Sequence, residues 1–342
     1  MTSCGFWVNT ISITNLSSSS STQLVAFIGQ NRQKPYRYLR GDPLIDAANA
    51  LVLEDIVDLN RKHPDGVFTA SQAGEIVGLV ACDDLPWDTR VLGNQWGALR
   101  YFMVAPAIPD KAEVLRHLLE SALNWARSHN IECLVCKIYA EDIPGVRALE
   151  KQGFLYMDTL LDYVVSLKTN PVEKLAVPAL PADVTIRLAT SEDTRKLIDV
   201  ARVAFRNHFS RYMVDERIPK ERSQNVYAEW IRSSAAGYAD WILVAEIGGN
   251  ITGYSVWKRP SQSEREKGIN LGHYSIAGVL PDFSGRGLFS ALTYAGMKLL
   301  DRQVDYIEGP VHIKNHPVQR AYSKLFWQIC DARHSFHKWL VE

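Results

Sequence analysis

The residues best arranged for chemistry lie in AGVLPDFSGRGLFSALTYAGMKLL, residues 277–300. A strand ends at Val279, and Pro281 stops it because proline cannot donate to a strand ladder. Ser284, Gly285, Arg286 and Gly287 then lead straight into an amphipathic helical pattern that opens on Leu288 and Phe289. Strand, glycine-rich turn and helix N-terminus together make an anion cradle. Free backbone N–H groups point at the ligand, the helix dipole favours negative charge, and glycine admits close approach. The spacing is not that of a Walker A loop, and the third glycine of a dinucleotide-binding GxGxxG is missing. Taken alone, the same residues also describe a turn that only caps a helix.

The elements that must position this turn recur along the chain. A proline-bearing stretch at residues 169–181 restricts the backbone to extended forms and divides the 342 residues almost in half. Each half runs helix, hairpin, strand, amphipathic helix, strand, short helix, strand. The hairpins align at Ala, Gly, Ile and Gly between Ala70–Gly78 and Ala245–Gly253. The short helices align at nearly the same offset, EKQGF against SKLFW. A shared order with matched residues points to an internal duplication. The expected class is α/β: two units, each a mixed central sheet flanked by helices.

Composition narrows the partners. Formal charge is zero, with 46% hydrophobic and 22% charged residues, and no basic cluster suits nucleic acid or an anionic membrane. No apolar run is long enough to span a bilayer, and the N-terminus lacks the basic start of a signal peptide. The five cysteines are scattered, which fits a reducing, cytoplasmic setting. Cys133 and Cys136 form a CxxC, but inside a strand-like run without a second ligand pair, so they read as buried strand residues and no metal is expected.

With Val279, Pro281, Gly285, Arg286 and Gly287 in place, the segment resembles motif A of the GNAT superfamily of N-acetyltransferases. Ser284 stands where that motif carries Arg or Gln, and Phe289 where it carries Gly or Ala. The resemblance implies acetyl-CoA as cosubstrate, held by Val279, Ser284, Gly285, Arg286, Gly287, Leu288 and Phe289. It further implies Asn315 on the pantetheine arm and Tyr322 as the acid that protonates the departing thiolate. Within the superfamily, AF…RSQNVYAEWI, LPWDTRVLG and the two-unit layout resemble the thymidine-diphosphate fucosamine acetyltransferases.

These likenesses imply domains at 1–22 (a disordered lead-in with a serine run), 23–168 (a degenerate GNAT-like unit), 169–181 (linker) and 182–342 (the acetyltransferase unit). The first unit reads VAPAIPDKAEVL where the second has its glycines, and Asp142 and Leu149 where the second has Asn315 and Tyr322. The acceptor would be the amine of a small molecule, an amino sugar or a nucleotide-linked one, and the protein a monomer or homodimer. His273, Glu308 and His312 are candidates to take the amine's proton, each with a structural reading beside it. Arg202, Arg206, Arg211, Arg217 and Arg222, with Phe209 and Tyr212, suit a diphosphate and a sugar or base, or else form a solvated surface. Other amines (aminoglycoside, polyamine, amino acid, protein N-terminus) fit the same fold. Ser284 and Phe289 also leave open a catalytically degenerate CoA-binding module.

Overall fold

The computed structural model describes residues 11–16, 21–39 and 43–341. Residues 1–10 and Ser17–Ser20, most of the expected lead-in, lie outside the described residues. Ser12–Asn15, inside that stretch, forms strand β1 and pairs with residues 68–71 of the next strand, an outcome its polar composition did not suggest.

The chain divides into two compact units. The first comprises residues 1–89, 94–156 and 334–342, and the second residues 90–93 and 157–333. In chain order the first half supplies β1, α1 (Ser21–Gln30), α2 (Ile45–Lys62), β2 (Val67–Gln72), β3 (Glu75–Asp84), α3 (Pro86–Leu92), β4 (Trp96–Val104), α4 (Lys111–Ser128), β5 (Cys133–Tyr139), α5 (Ile143–Lys151) and β6 (Leu155–Ser166). The second half supplies β7 (Val184–Leu188), α6 (Thr194–Ala204), α7 (Arg211–Val214), α8 (Lys220–Ser233), β8 (Trp241–Ile247), β9 (Asn250–Lys258), α9 (Gln262–Glu266), β10 (Leu271–Val279), α10 (Leu288–Leu300), β11 (Tyr306–His312), α11 (His316–Lys324) and β12 (Gln328–Trp339).

In the first unit the strand order is β1-β2-β3-β4-β5, closed by the end of β12. In the second it is β12-β6-β11-β10-β9-β8-β7. The β4–β5 and β10–β11 pairs are parallel, and the hairpin pairs β2–β3 and β8–β9 and the β6–β11 pair are antiparallel. This confirms the mixed α/β class and corrects the boundaries expected from the linker. The strand that ends the first half belongs mostly to the second unit, where Tyr163 and Val165 are buried in its core. The end of the chain belongs to the first unit, where Phe336 is buried among Leu134, Leu149 and Phe154. Burial of these side chains, rather than chain order, decides the membership.

The duplication is visible in the hairpins. Both turns place two residues at positive φ, Ala73–Gly74 and Gly248–Gly249, which suits a right-twisted ribbon. Both ladders slip register at the same aligned place, after Ala70 and after Ala245. Ala70 pairs with Gly78, and Ala245 with Gly253. A Cβ on Gly78 would meet Val114 and Leu118 of α4, and one on Gly253 would meet Leu292 of α10. The glycine shared at this place therefore lies against α4 in one unit and α10 in the other. Among the described residues no helix is long and apolar enough to cross a membrane.

Candidate active site

The glycine-rich turn of the second unit forms as its sequence implies. Gly285 and Gly287 have φ of 79° and 84°, the left-handed region where other residues carry a steric cost. Gly287 is the N-cap of α10, and no side chain caps the helix. The first-turn N–H groups, including those of Leu288 and Phe289, lack an upstream carbonyl, and the dipole adds positive potential there. Ser284, Gly285 and Arg286 are exposed around this end. Ser284 Oγ donates to Leu280 O at 3.4 Å, and the Arg286 guanidinium lies over the Phe283 ring. Leu288, 1% exposed, roots the helix in the core. The Ala179 carbonyl lies 2.9 Å from where a Cβ on Gly287 would sit, so glycine there also makes room for the linker.

Beside this end the sheet opens. β10 and β11 pair in parallel only from Leu271–Tyr306 to His273–Glu308. Beyond that, β10 continues to pair with β9 as far as Val279, and β11 with β6 as far as His312. The facing edges of the two strands thus part and leave backbone N–H and C=O groups available to an extended ligand. Val279 is half-buried at the end of this slot.

On one face of the slot stands an aromatic group. Tyr322 of α11 is 3% exposed, stacks on Trp327 at 4.5 Å, and lies 5.1 Å from Tyr163 and 5.9 Å from Phe289, centroid to centroid. A Cβ on Gly309 of β11 would come 3.1 Å from the Tyr322 hydroxyl, so the missing side chain there admits the phenol to the strand. Burial, with Tyr274 and Tyr163 nearby, holds Tyr322 well above the usual tyrosine range, and the hydroxyl keeps its proton at neutral pH. Phe289 turns its ring toward Tyr274 and Tyr322, within this aromatic group. Asn315 caps α11, its Oδ1 accepting from Val318 N at 3.4 Å.

The other face carries His312, one of the candidate bases, and Asp158, which sequence reasoning left aside. His312 is 5% exposed and accepts from Lys314 N at Nδ1, 3.1 Å away. The neutral ring therefore carries its proton on Nε2, which is buried and finds no partner among the described residues. Asp158, on β6 and 3% exposed, accepts from Arg211 N at Oδ2, 2.7 Å away, while its Oδ1 is likewise buried and unpartnered. Each such buried group costs about 1–3 kcal/mol. The loop 205–210 covers both. The His208 ring lies 6.2 Å and the Phe209 ring 4.9 Å from that of His312. Phe205 stacks on Tyr227 at 4.1 Å, against the Gly278 backbone of β10. Burial, and then the neighbouring His312, pushes His208 down to about 4, and burial lowers His312 too. Nothing in the local sequence MDTLLDYVV marks Asp158 except an acid in an apolar strand.

His273 and Glu308 are brought together, but as an ion pair. His273 Nδ1 lies 3.0 Å from Glu308 Oε1 and Nε2 3.4 Å from Glu264 Oε2. Burial lowers the His273 value, but the hydrogen bonds to the two carboxylates outweigh it and bring it up to about 9. A ring already protonated cannot accept a proton at neutral pH. Of the five arginines, Arg202, Arg206 and Arg222 line one cavity of about 630 Å³ with Val91, Glu221, Gln224 and Asn225. Arg211 is instead buried against the Tyr212 ring, and Arg217 does not line that cavity.

The first unit has the slot without the cradle. β4 and β5 also part beyond Leu99–Cys136. With Val104 set on Val279, Lys111 falls on Arg286, and α4 already begins there, before α10 does in its unit. Its N-terminus is capped by Asp110, whose Oδ1 accepts from Ala112 N at 3.2 Å. Asp142 caps α5, and Leu149 is fully buried where Tyr322 stands in the second unit. Cys133 and Cys136 are buried in β5, three residues apart and so on opposite faces of the strand, and burial holds the Cys136 thiol well above its usual range.

Residues 29–154 match the model of the Acetyltransferase (GNAT) family. A spore coat polysaccharide biosynthesis protein, SpsD of Bacillus subtilis, is 25% identical over 203 residues, covering 58% of this chain and 63% of its own length. A mycothiol acetyltransferase of Saccharomonospora viridis is 29% identical over 163 residues, covering 45% of this chain and 49% of its own length. The chain thus spans under two thirds of either relative. A solved tandem GNAT protein from the clavulanic acid biosynthesis pathway is 13% identical and shares the fold at a TM-score of 0.58 over 97% of this chain and 99% of that one.

Proposed function

We propose that the second unit transfers acetyl from acetyl-CoA to the amine of a small molecule, a reading supported by the match of residues 29–154 to the Acetyltransferase (GNAT) family model and by the fold shared with a tandem GNAT protein. The uncapped N-terminus of α10, behind two left-handed glycines, carries this reading. It offers a pyrophosphate several convergent N–H donors and the positive end of a dipole. The parted edges of β10 and β11 suit the pantetheine arm, with Asn315 at the far end. Tyr322 is a neutral phenol on one face of the slot, available to protonate the thiolate as the C–S bond breaks. The burial that raises its own value also raises that of a thiolate held there.

The acceptor we favour is an amino sugar, in particular one linked to a nucleoside diphosphate. Arg202, Arg206 and Arg222 share a cavity large enough for part of such a ligand, and guanidinium forks suit phosphate oxygens. The printed name of SpsD, a polysaccharide biosynthesis protein, is in keeping with a sugar acceptor.

The test is calorimetric titration of acetyl-CoA into the wild type and Ser284→Asp. Asp is tolerated at this exposed, extended position and sets a carboxylate at the helix end. Micromolar binding weakened by about thirtyfold or more in the variant, roughly 2 kcal/mol, is expected. Thiol release should then follow with one member of an amine panel, and thymidine diphosphate should compete if the acceptor is nucleotide-linked. A wild type that does not bind acetyl-CoA overturns the reading.

A further inference from the structure

The face of the slot opposite Tyr322 holds two buried polar atoms with nothing to bond. Asp158 Oδ1 accepts nothing and His312 Nε2 donates to nothing among the described residues. The two side chains share that face, since His312 stands opposite Leu160 in the β6–β11 ladder and Asp158 lies two residues from Leu160. The Tyr322 face is packed with aromatic rings, so a nucleophile reaches a thioester lying in the slot from the Asp158 side.

We propose that Asp158 is the acceptor-side catalytic residue: its free Oδ1 holds the acceptor's ammonium group and takes its proton, while His312 Nε2–H donates to a hydroxyl beside that amine. This rests on the acetyl-transfer reading and assigns its acceptor site. The acceptor class is a vicinal amino alcohol, as in an amino sugar. One donor and one anionic acceptor match a hydroxyl and an ammonium. His312 cannot take the proton, because its Nδ1 lone pair is engaged by Lys314 N and Nε2 carries hydrogen.

In the step, one ammonium proton passes to the Asp158 carboxylate, and the nitrogen lone pair forms the C–N bond to the thioester carbonyl carbon. The tetrahedral intermediate collapses, the C–S bond breaks, and its electron pair goes to sulfur. Sulfur takes a proton from Tyr322, the second nitrogen proton restores the phenol, and Asp158 releases the first to solvent. The products are the amide, free CoA thiol and one proton. Entry of the acceptor requires the 205–210 loop to swing away, because His208 and Phe209 now cover the seat.

Groups facing Asp158 and His312 are Lys314 from the turn after β11, His208 from the loop, Arg211 and Tyr212 from α7, and Tyr227 from α8. Burial places the two histidines below the pH range of the test and Tyr227 above it.

The experiment compares wild type with Asp158→Asn, which keeps an acceptor for Arg211 N and removes the charge. Thiol release is followed with glucosamine and with a thymidine-diphosphate-linked amino sugar between pH 7 and 9.5, alongside acetyl-CoA titration and thermal melting. The expected result is kcat/KM lower by about a hundredfold at pH 7. It recovers by up to about tenfold per pH unit until the acceptor's own ammonium has titrated, as solution supplies free amine. Acetyl-CoA affinity stays within about twofold, and the melting temperature rises because the charge on a buried carboxylate with one unpartnered oxygen is gone. Turnover in the variant within about threefold of wild type overturns the assignment alone. So does a lower melting temperature with an unchanged pH profile, which marks a structural aspartate. A wild type that binds acetyl-CoA yet releases thiol to neither acceptor overturns the transfer reading and this assignment together.

Discussion

The N-termini of α4 and α10 follow equivalent strands in the two units and end in opposite electrostatic states. At α4 the Asp110 carboxylate sits on the first-turn N–H groups. At α10 the same kind of donors face outward behind Gly285 and Gly287, and no side chain meets them. In effect the first unit has built an anion into its own chain, and the second has left the place for one. Both units keep the hairpin, the slipped register and the parted parallel strands, so the fold does not require an open cradle. The difference also separates two signals. The family model matches residues 29–154, in the unit whose helix is self-capped, whereas the left-handed glycines and Tyr322 lie in the other. Core residues that define a fold and residues that hold a ligand answer to different constraints.

The sharpest way to break this contrast is at the paired positions of Tyr322 and Leu149. Tyr322→Phe should lower kcat by well over tenfold while acetyl-CoA affinity barely moves, since the ring and its stack on Trp327 survive. Unchanged turnover under saturating acetyl-CoA would remove the phenol from the chemistry and make the units alike in this respect.

The second test concerns a pair of carboxylates on one histidine, an arrangement of the second unit. The folded-state value of His273, about 9, lies above its ordinary 6.5. The folded state therefore holds a proton that the unfolded chain lacks between those values, and stability falls as pH rises through that window. The contribution, present in full below pH 6.5, is on the order of 1–3 kcal/mol. Denaturant unfolding from pH 6 to 9.5 should show this decline, and His273→Gln should flatten it. His208 works the other way. Its depressed value favours the neutral folded form, so its contribution is lost as pH falls from about 6.5 toward 4.

The smallest effect is expected at Asp110→Ala. Loss of the cap should cost about 1 kcal/mol of stability, read by chemical denaturation, with no change in acetyl-CoA affinity. An affinity change there would mean that the first unit also binds the cosubstrate.

Much of the site was legible in the sequence because it depends on local backbone rules. Pro281 ends a strand, Gly285 and Gly287 adopt conformations that other residues resist, and Leu288 starts a helix whose apolar face must be buried. The hairpin glycines were legible for the same reason, since Gly78 and Gly253 are small where a helix lies on the sheet. Asp158 was not legible. An acid in MDTLLDYVV looks like the polar side of a strand, and only its place beside β11 puts it across from Leu160's partner His312. The roles of His273 and His312 were likewise undecided in sequence, because a histidine's proton depends on neighbours distant along the chain.

The sequence by itself determined the α/β class, the doubling of the unit, and which helix begins behind two glycines without a side-chain cap. These follow from periodicity, proline, glycine and capping, all set within a few residues. Tertiary structure alone decided that most of β6 lies in the second unit and the end of β12 in the first. It also decided that His273 is clamped as a cation, that three of five arginines share a cavity, and that Asp158 and His312 keep unpartnered polar atoms on one face of the slot. Each of those is a matter of burial and charge between residues far apart in the chain, and no local pattern encodes the distance between them.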